Sequence, residues 1–89
     1  MIYVVQWSRR ALGAVTELWL ASSSADRTLI TRAVATIDER LGNDPKRLGE
    51  SRDANERIWF VPPLIVIFEV DDVDRLVRVL NVRPLRRRG

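Results

Sequence analysis

The 89-residue chain contains no cysteine and no histidine, and it has a single tyrosine, Tyr3. Without cysteine there is no disulfide framework, and with histidine also missing no familiar zinc or histidine-based metal site can be assembled. No cofactor is implied. The lack of histidine also removes the side chain that most often moves protons near neutral pH. No uninterrupted apolar stretch is long enough to cross a bilayer. The opening MIYVVQWSRR is an apolar run too short for the apolar region of a secretory leader, and Arg9 and Arg10 follow it rather than precede it. These features predict a cytoplasmic protein that does not span a membrane. Repeats and low-complexity tracts are missing as well, so the chain reads as one unit.

What is present has the balance of a folded globular protein: 46% of residues are hydrophobic and 30% charged. Residues 1–89 are expected to form one domain. A domain of this size buries only about two thirds of the surface its unfolded chain exposes, so a permanent partner would add noticeably to its stability. The formal net charge is +3, and the isoelectric point of about 10.5 is high because most of the basic groups are arginines, which do not deprotonate in the usual pH range. Acids are spread through the chain. Lys46, Arg47, Arg52 and Arg57, by contrast, bracket the second half together with Arg83, Arg86, Arg87 and Arg88 in the closing NVRPLRRRG. That distribution suits a local positive surface for a polyanion or an acidic partner, or a solvated face that serves solubility.

The residue pattern gives the elements. IYVVQW is β-branched and aromatic and reads as a strand. Ser8 then serves as a helix cap, and Leu12, Val15, Leu18 and Trp19 recur at helical spacing to about Ala21. After SSSAD, Ser24 or Asp26 can cap a second helix, whose apolar residues Leu29, Ile30, Ala33, Val34, Ile37 and Leu41 keep the rhythm until Gly42 stops it. GNDPKRLGESRDAN is polar and aperiodic and reads as a long loop. ERIWFV, LIVIFEV and RLVRVLNV read as three strands, separated by turns at PP and DDVD. LIVIFEV is apolar almost throughout, which places it mid-sheet with both faces covered or nearly so. The order β-α-α-β-β-β, with a helical hairpin on one face of a mainly antiparallel sheet, is an α+β two-layer sandwich.

YVVQWS at the start, the helical hairpin ending in IDERLGNDP, the GESR segment, and RIWFVPPLIVIFEV followed by RVLNV resemble the RelE/ParE superfamily of bacterial toxins. The resemblance covers essentially the whole chain and lies in the order and spacing of segments. It implies the growth-inhibiting half of a type II toxin–antitoxin (plasmid stabilisation) system, with a cognate antitoxin as partner and a toxin–antitoxin hetero-oligomer as the assembly. Two activities are implied as alternatives. ParE-like members inhibit DNA gyrase, whereas RelE-like members are metal-independent endoribonucleases that cut ribosome-bound mRNA. A third alternative is a degenerate member with little toxicity.

RNA cleavage through the 2′-hydroxyl needs a base, a cation for the charge developing on the phosphate, and an acid for the departing oxygen. The resemblance implies basic residues on the first two strands of the C-terminal half, an arginine near the last strand and a tyrosine close to the C-terminus. Arg57 matches the first of these, and its neighbour two residues on is Trp59. Ile65 stands where the central-strand arginine is expected. Arg86 or Arg87 fits the last-strand position, but no tyrosine follows. The candidate catalytic set is therefore Arg57, Arg86, Arg87 and Glu50, with Asp53 and Glu56 as further acids; all three acids could instead pair with Arg52 and Arg57 on the surface. Lys46, Arg47, Arg52, Arg83 and Arg88 are candidates for binding a phosphate or an acidic partner. Phe60 and Phe68 are expected to fill the interface between sheet and helices. Trp59, on the opposite side of its strand, is left to meet a protein partner. The incomplete catalytic set tilts the reading toward gyrase inhibition.

Overall fold

The computed structural model describes residues 2–53 and 55–85. Strand β1, Val4–Trp7, leads into helices α1, Arg9–Leu20, and α2, Ser24–Asn43; a short 3-10 turn, Pro45–Arg47, then precedes β2, Glu50–Asp53, β3, Glu56–Val61, β4, Leu64–Asp71, and β5, Leu76–Pro84. The sheet order is β1-β5-β4-β3-β2. Only β1 and β5 pair in parallel; the other neighbours are antiparallel. The α+β architecture and the helical hairpin agree with expectation.

The end of the supposed long loop differs. Glu50–Asp53 forms a fourth C-terminal strand on β3, with a bulge between Ser51 and Asp53. All four residues are exposed, so no alternation of apolar and polar residues marks the strand in the sequence. Gly49 makes the entry possible. Its φ of +67° lies in the left-handed region, and a Cβ there would stand 2.3 Å from the Ile58 carbonyl oxygen.

Caps define the helices. Ser8 accepts the Ala11 N–H at 3.0 Å. Ser23, rather than Ser24 or Asp26, caps α2 by accepting the Asp26 N–H, which leaves Asp26 in the first turn where a carboxylate is favoured. Helix α2 also runs one residue past Gly42. That glycine is buried, and its carbonyl accepts the N–H groups of Ile2 and Tyr3, both at 2.9 Å, which ties the helix end to the start of the chain.

The core lies between the helices and one face of the sheet. Ala11, Ala33, Ile37 and Leu41 meet Leu64, Val66, Phe68, Val77, Val79 and Val82. Leu12 and Trp19 of α1 and Leu29 of α2, members of the apolar helix stripes, lie at the rim with substantial exposure; on α1 the residues packed on the core are the buried Ala11 and the partly buried Ala14, Val15 and Leu18. Strand β4 is central as expected, but the helices cover it on one face only. Along it Leu64, Val66 and Phe68 are buried while Ile65 and Ile67 are half-buried. In β5 the pairing jumps from Ile67–Asn81 to Phe68–Val79, leaving Leu80 unpaired. This bulge reverses the alternation, so Val79 and Val82 both point into the core and Arg83 emerges on the open face.

Candidate functional site

The register places the open face of the sheet in rows. Phe60, Ile65 and Arg83 form one row across β3, β4 and β5; Glu50, Ile58, Ile67 and Asn81 form the next; Glu56, Glu69, Arg78 and Gln6 form a third. The middle of this face is aliphatic, Phe60 is 57% exposed, and charge is confined to the margins. Arg78 is engaged by Glu69 at 3.3 Å. A 140 Å³ cavity on this face is lined by Arg52, Glu56, Arg57, Ile58, Ile67 and Arg83. Arg52 reaches it from β2 at one side and Arg83 from β5 at the other. Neither arginine has an ion-pair partner among the described residues.

Arg57 contributes to the cavity wall, but its guanidinium is committed elsewhere. Arg57 stands opposite the buried Phe68, on the helix-facing side. Its Nε donates to the Leu48 carbonyl at 2.9 Å and its Nη2 to the Gly49 carbonyl at 3.0 Å. Those carbonyls belong to the turn that feeds β2, so Arg57 fastens the edge strand to the sheet. The candidate catalytic pair of Arg57 with Glu50 is therefore split between the two faces, since Glu50 stands opposite Ile58. The expected pairing of Arg57 and Arg52 with the acids Asp53 and Glu56 is not made.

The aromatic assignment on β3 is reversed. Trp59 lies on the helix side, packed against the core with the Arg40 guanidinium 5.6 Å from its ring centre, while Phe60 faces solvent on the open side. ERIWFV alternates as expected but with the opposite phase, because Ile58 and Phe60 are as apolar as Trp59 and Val61. The charged Arg57, which shares the inward phase, hides the signal.

Lys46 and Arg47 lie away from this cavity. Arg47 pairs with Asp44 at 3.5 Å. Lys46 pairs with Asp72 at 2.6 Å, and Asp72 also accepts from the buried Tyr3 hydroxyl, to which Arg75 donates. The Lys46 and Tyr3 hydrogen bonds hold the Asp72 carboxyl below the usual carboxylate range, and bonding to Asp72 raises the Lys46 ammonium above its ordinary value. Tyr3, the only tyrosine, is thus a structural tie. Of the predicted anion-binding residues, the structure brings Arg52 and Arg83 together; Arg86, Arg87 and Arg88 lie outside the described residues. Phe60 is the open-face residue that the sequence expectation assigns to the core instead, and no local signal distinguishes the two phases of β3. Among the described residues no group of three or more potential ligands could hold a metal ion, and no helix is long and apolar enough to cross a membrane.

Known structures share this architecture. A chain of the chromosomal ParDE toxin–antitoxin system from P. aeruginosa superposes with a TM-score of 0.77 at 14% identity, covering 96% of this chain and 98% of that one. The chain has the RelE/ParE toxin fold. The RelBE2 toxin–antitoxin complex from Mycobacterium tuberculosis gives a TM-score of 0.74 at 18% identity over 94% of this chain and 99% of the other. The isolated E. coli RelE toxin gives 0.59 at 17% identity, covering 96% and 86%. No family model and no curated protein sequence matches the chain. The open face of this chain carries isoleucines and a phenylalanine at its centre.

Proposed function

We propose that this protein is the toxin of a type II toxin–antitoxin pair and that it acts by occupying a protein target, DNA gyrase, rather than by cutting RNA. The observation that carries this reading is the aliphatic centre of the open face. Ile58, Ile65, Ile67 and Phe60 fill the centre of the open face and leave its cations only at the margins, and the Arg57 guanidinium is spent on backbone carbonyls. An exposed aromatic beside isoleucines, with arginines at the rim, is the composition of a protein-binding surface. The neighbours from P. aeruginosa and Mycobacterium tuberculosis are described as toxin–antitoxin systems or complexes. By analogy the partner here is a cognate antitoxin, whose apolar side chains and acids would meet the exposed leucines of the hairpin and the arginines.

A second reading, ribosome-dependent mRNA cleavage, is favoured by one feature: Glu56 shares the cavity with Arg52 and Arg83, a potential base beside two cations. One experiment separates the two. The protein is induced without antitoxin, and cellular mRNA ends and gyrase supercoiling are followed in the same cells. Blocked supercoiling with intact mRNA is expected. New codon-phased mRNA ends with normal supercoiling would sink the proposal in favour of the nuclease, and no effect on growth would identify a degenerate member.

A further inference from the structure

We infer that the cavity between Arg52 and Arg83 is a cradle for one carboxylate of an extended protein segment, with the segment's neighbouring apolar side chain seated on Phe60 and Ile65. This rests on the protein-target reading and assigns its contact residues. Arg52 and Arg83 line one cavity from strands at different positions in the sheet, over a floor of Ile58 and Ile67 and with Glu56 as the one acid among the described lining residues, which leaves the slot net positive and suited to a single anion. Guanidinium groups suit a planar carboxylate, which two such groups can bind with paired N–H donors.

The choice of a protein carboxylate over RNA follows from the surroundings. A nucleic-acid strand presents a phosphate at every step and needs a continuous positive track. Here, one row away from the aliphatic floor, Glu56 stands directly opposite Glu69 on the same face, and Arg78 is already taken by Glu69. Among the described residues, beyond a single anion slot of 140 Å³, a phosphate chain would meet acid on one side and aliphatic surface on the other. An extended peptide fits both. Its side chains alternate, so residues two apart share a face, and the row spacing places Phe60 and Ile65 beside Arg83.

The test is selection of a random decapeptide library on the immobilised protein without counter-selection, the winners then being titrated on the parent, the Arg52→Ala/Arg83→Ala double variant and Phe60→Ala. A uridine decaribonucleotide is titrated in parallel at the same salt concentration. The expected winners carry Asp or Glu with a bulky apolar residue two positions away. Their binding should fall at least about tenfold in the double variant and be weakened by Phe60→Ala, while circular dichroism shows both variants folded. Winners without an acid, or with binding indifferent to both substitutions, overturn the inference. So does RNA that binds more tightly than the peptides and is lost in the double variant. Gyrase assays on the unaltered protein report separately on the parent reading: normal supercoiling defeats the gyrase assignment without touching the peptide result.

Discussion

Arg57→Ala is the substitution that best separates a structural from a catalytic role. Arg57 donates two bonds to backbone carbonyls, at 2.9 and 3.0 Å, and those carbonyls flank the turn into β2. Hydrogen bonds from a charged donor contribute about 1.5–3 kcal/mol each. The side chain is half-buried, so water can reach the freed carbonyls, and the lower end of that range applies, for a total loss of about 3 kcal/mol. For a domain of this size that corresponds to a fall in Tm of roughly 12–24 °C. Chemical denaturation followed by tryptophan fluorescence measures it directly, since Trp59 neighbours the site. Arg57→Lys should recover only part of the loss, because an ammonium cannot serve both carbonyls in the fork geometry of a guanidinium. A variant whose stability stays within about 0.5 kcal/mol of the parent while its growth inhibition disappears would refute the structural account and return Arg57 to the functional residues.

Further outcomes follow from the same geometry. Gly49→Ala, which forces a Cβ to 2.3 Å from the Ile58 carbonyl oxygen at a positive φ, should cost at least about 2 kcal/mol in a denaturation curve. The two phenylalanines should part company: Phe68→Ala, at a fully buried position, should cost about 3–5 kcal/mol, whereas Phe60→Ala should leave stability within about 0.5 kcal/mol and reduce inhibition of the target. The clasp at Asp72 predicts a pH dependence with two limbs. The lowered Asp72 carboxyl contributes stability above the ordinary carboxylate value of about 4, lost as pH falls through the folded value; the raised Lys46 ammonium contributes below about 10.4, lost as pH rises through its folded value. The stability difference between the parent and Asp72→Asn should therefore be flat between these limits, shrink beyond both, and shrink with added salt. A difference that grows on acidification would contradict the assignment.

Much of the architecture was legible in the sequence because it is written in local patterns. Ser8 capping a run with helical spacing, the helical rhythm from Leu29 to Leu41, and the unbroken apolar LIVIFEV each carry their own signal, and together they specify a helical hairpin on a sheet with β4 at its centre. These depend on which residues recur at 2 or 3.6 positions, a property of the chain alone. The absence of cysteine and histidine likewise narrows the chemistry before any fold exists.

Tertiary structure decided the contents of the open face. The phase of ERIWFV could not be read locally, since both of its sides are apolar, and only packing against the helices turned Trp59 inward and Phe60 out. Strand β2 is fully exposed and has no pattern of its own; it exists because Gly49 permits the turn and Arg57 holds it. The bulge at Leu80 is the clearest case. Without it the alternation from Val79 would send Arg83 toward the core, and with it Arg83 comes to share a cavity with Arg52, from a strand three positions away in the sheet. Local pattern sets which face a residue takes within its own strand, but the register between strands sets which side chains meet, and register is fixed only by the packing of the whole domain.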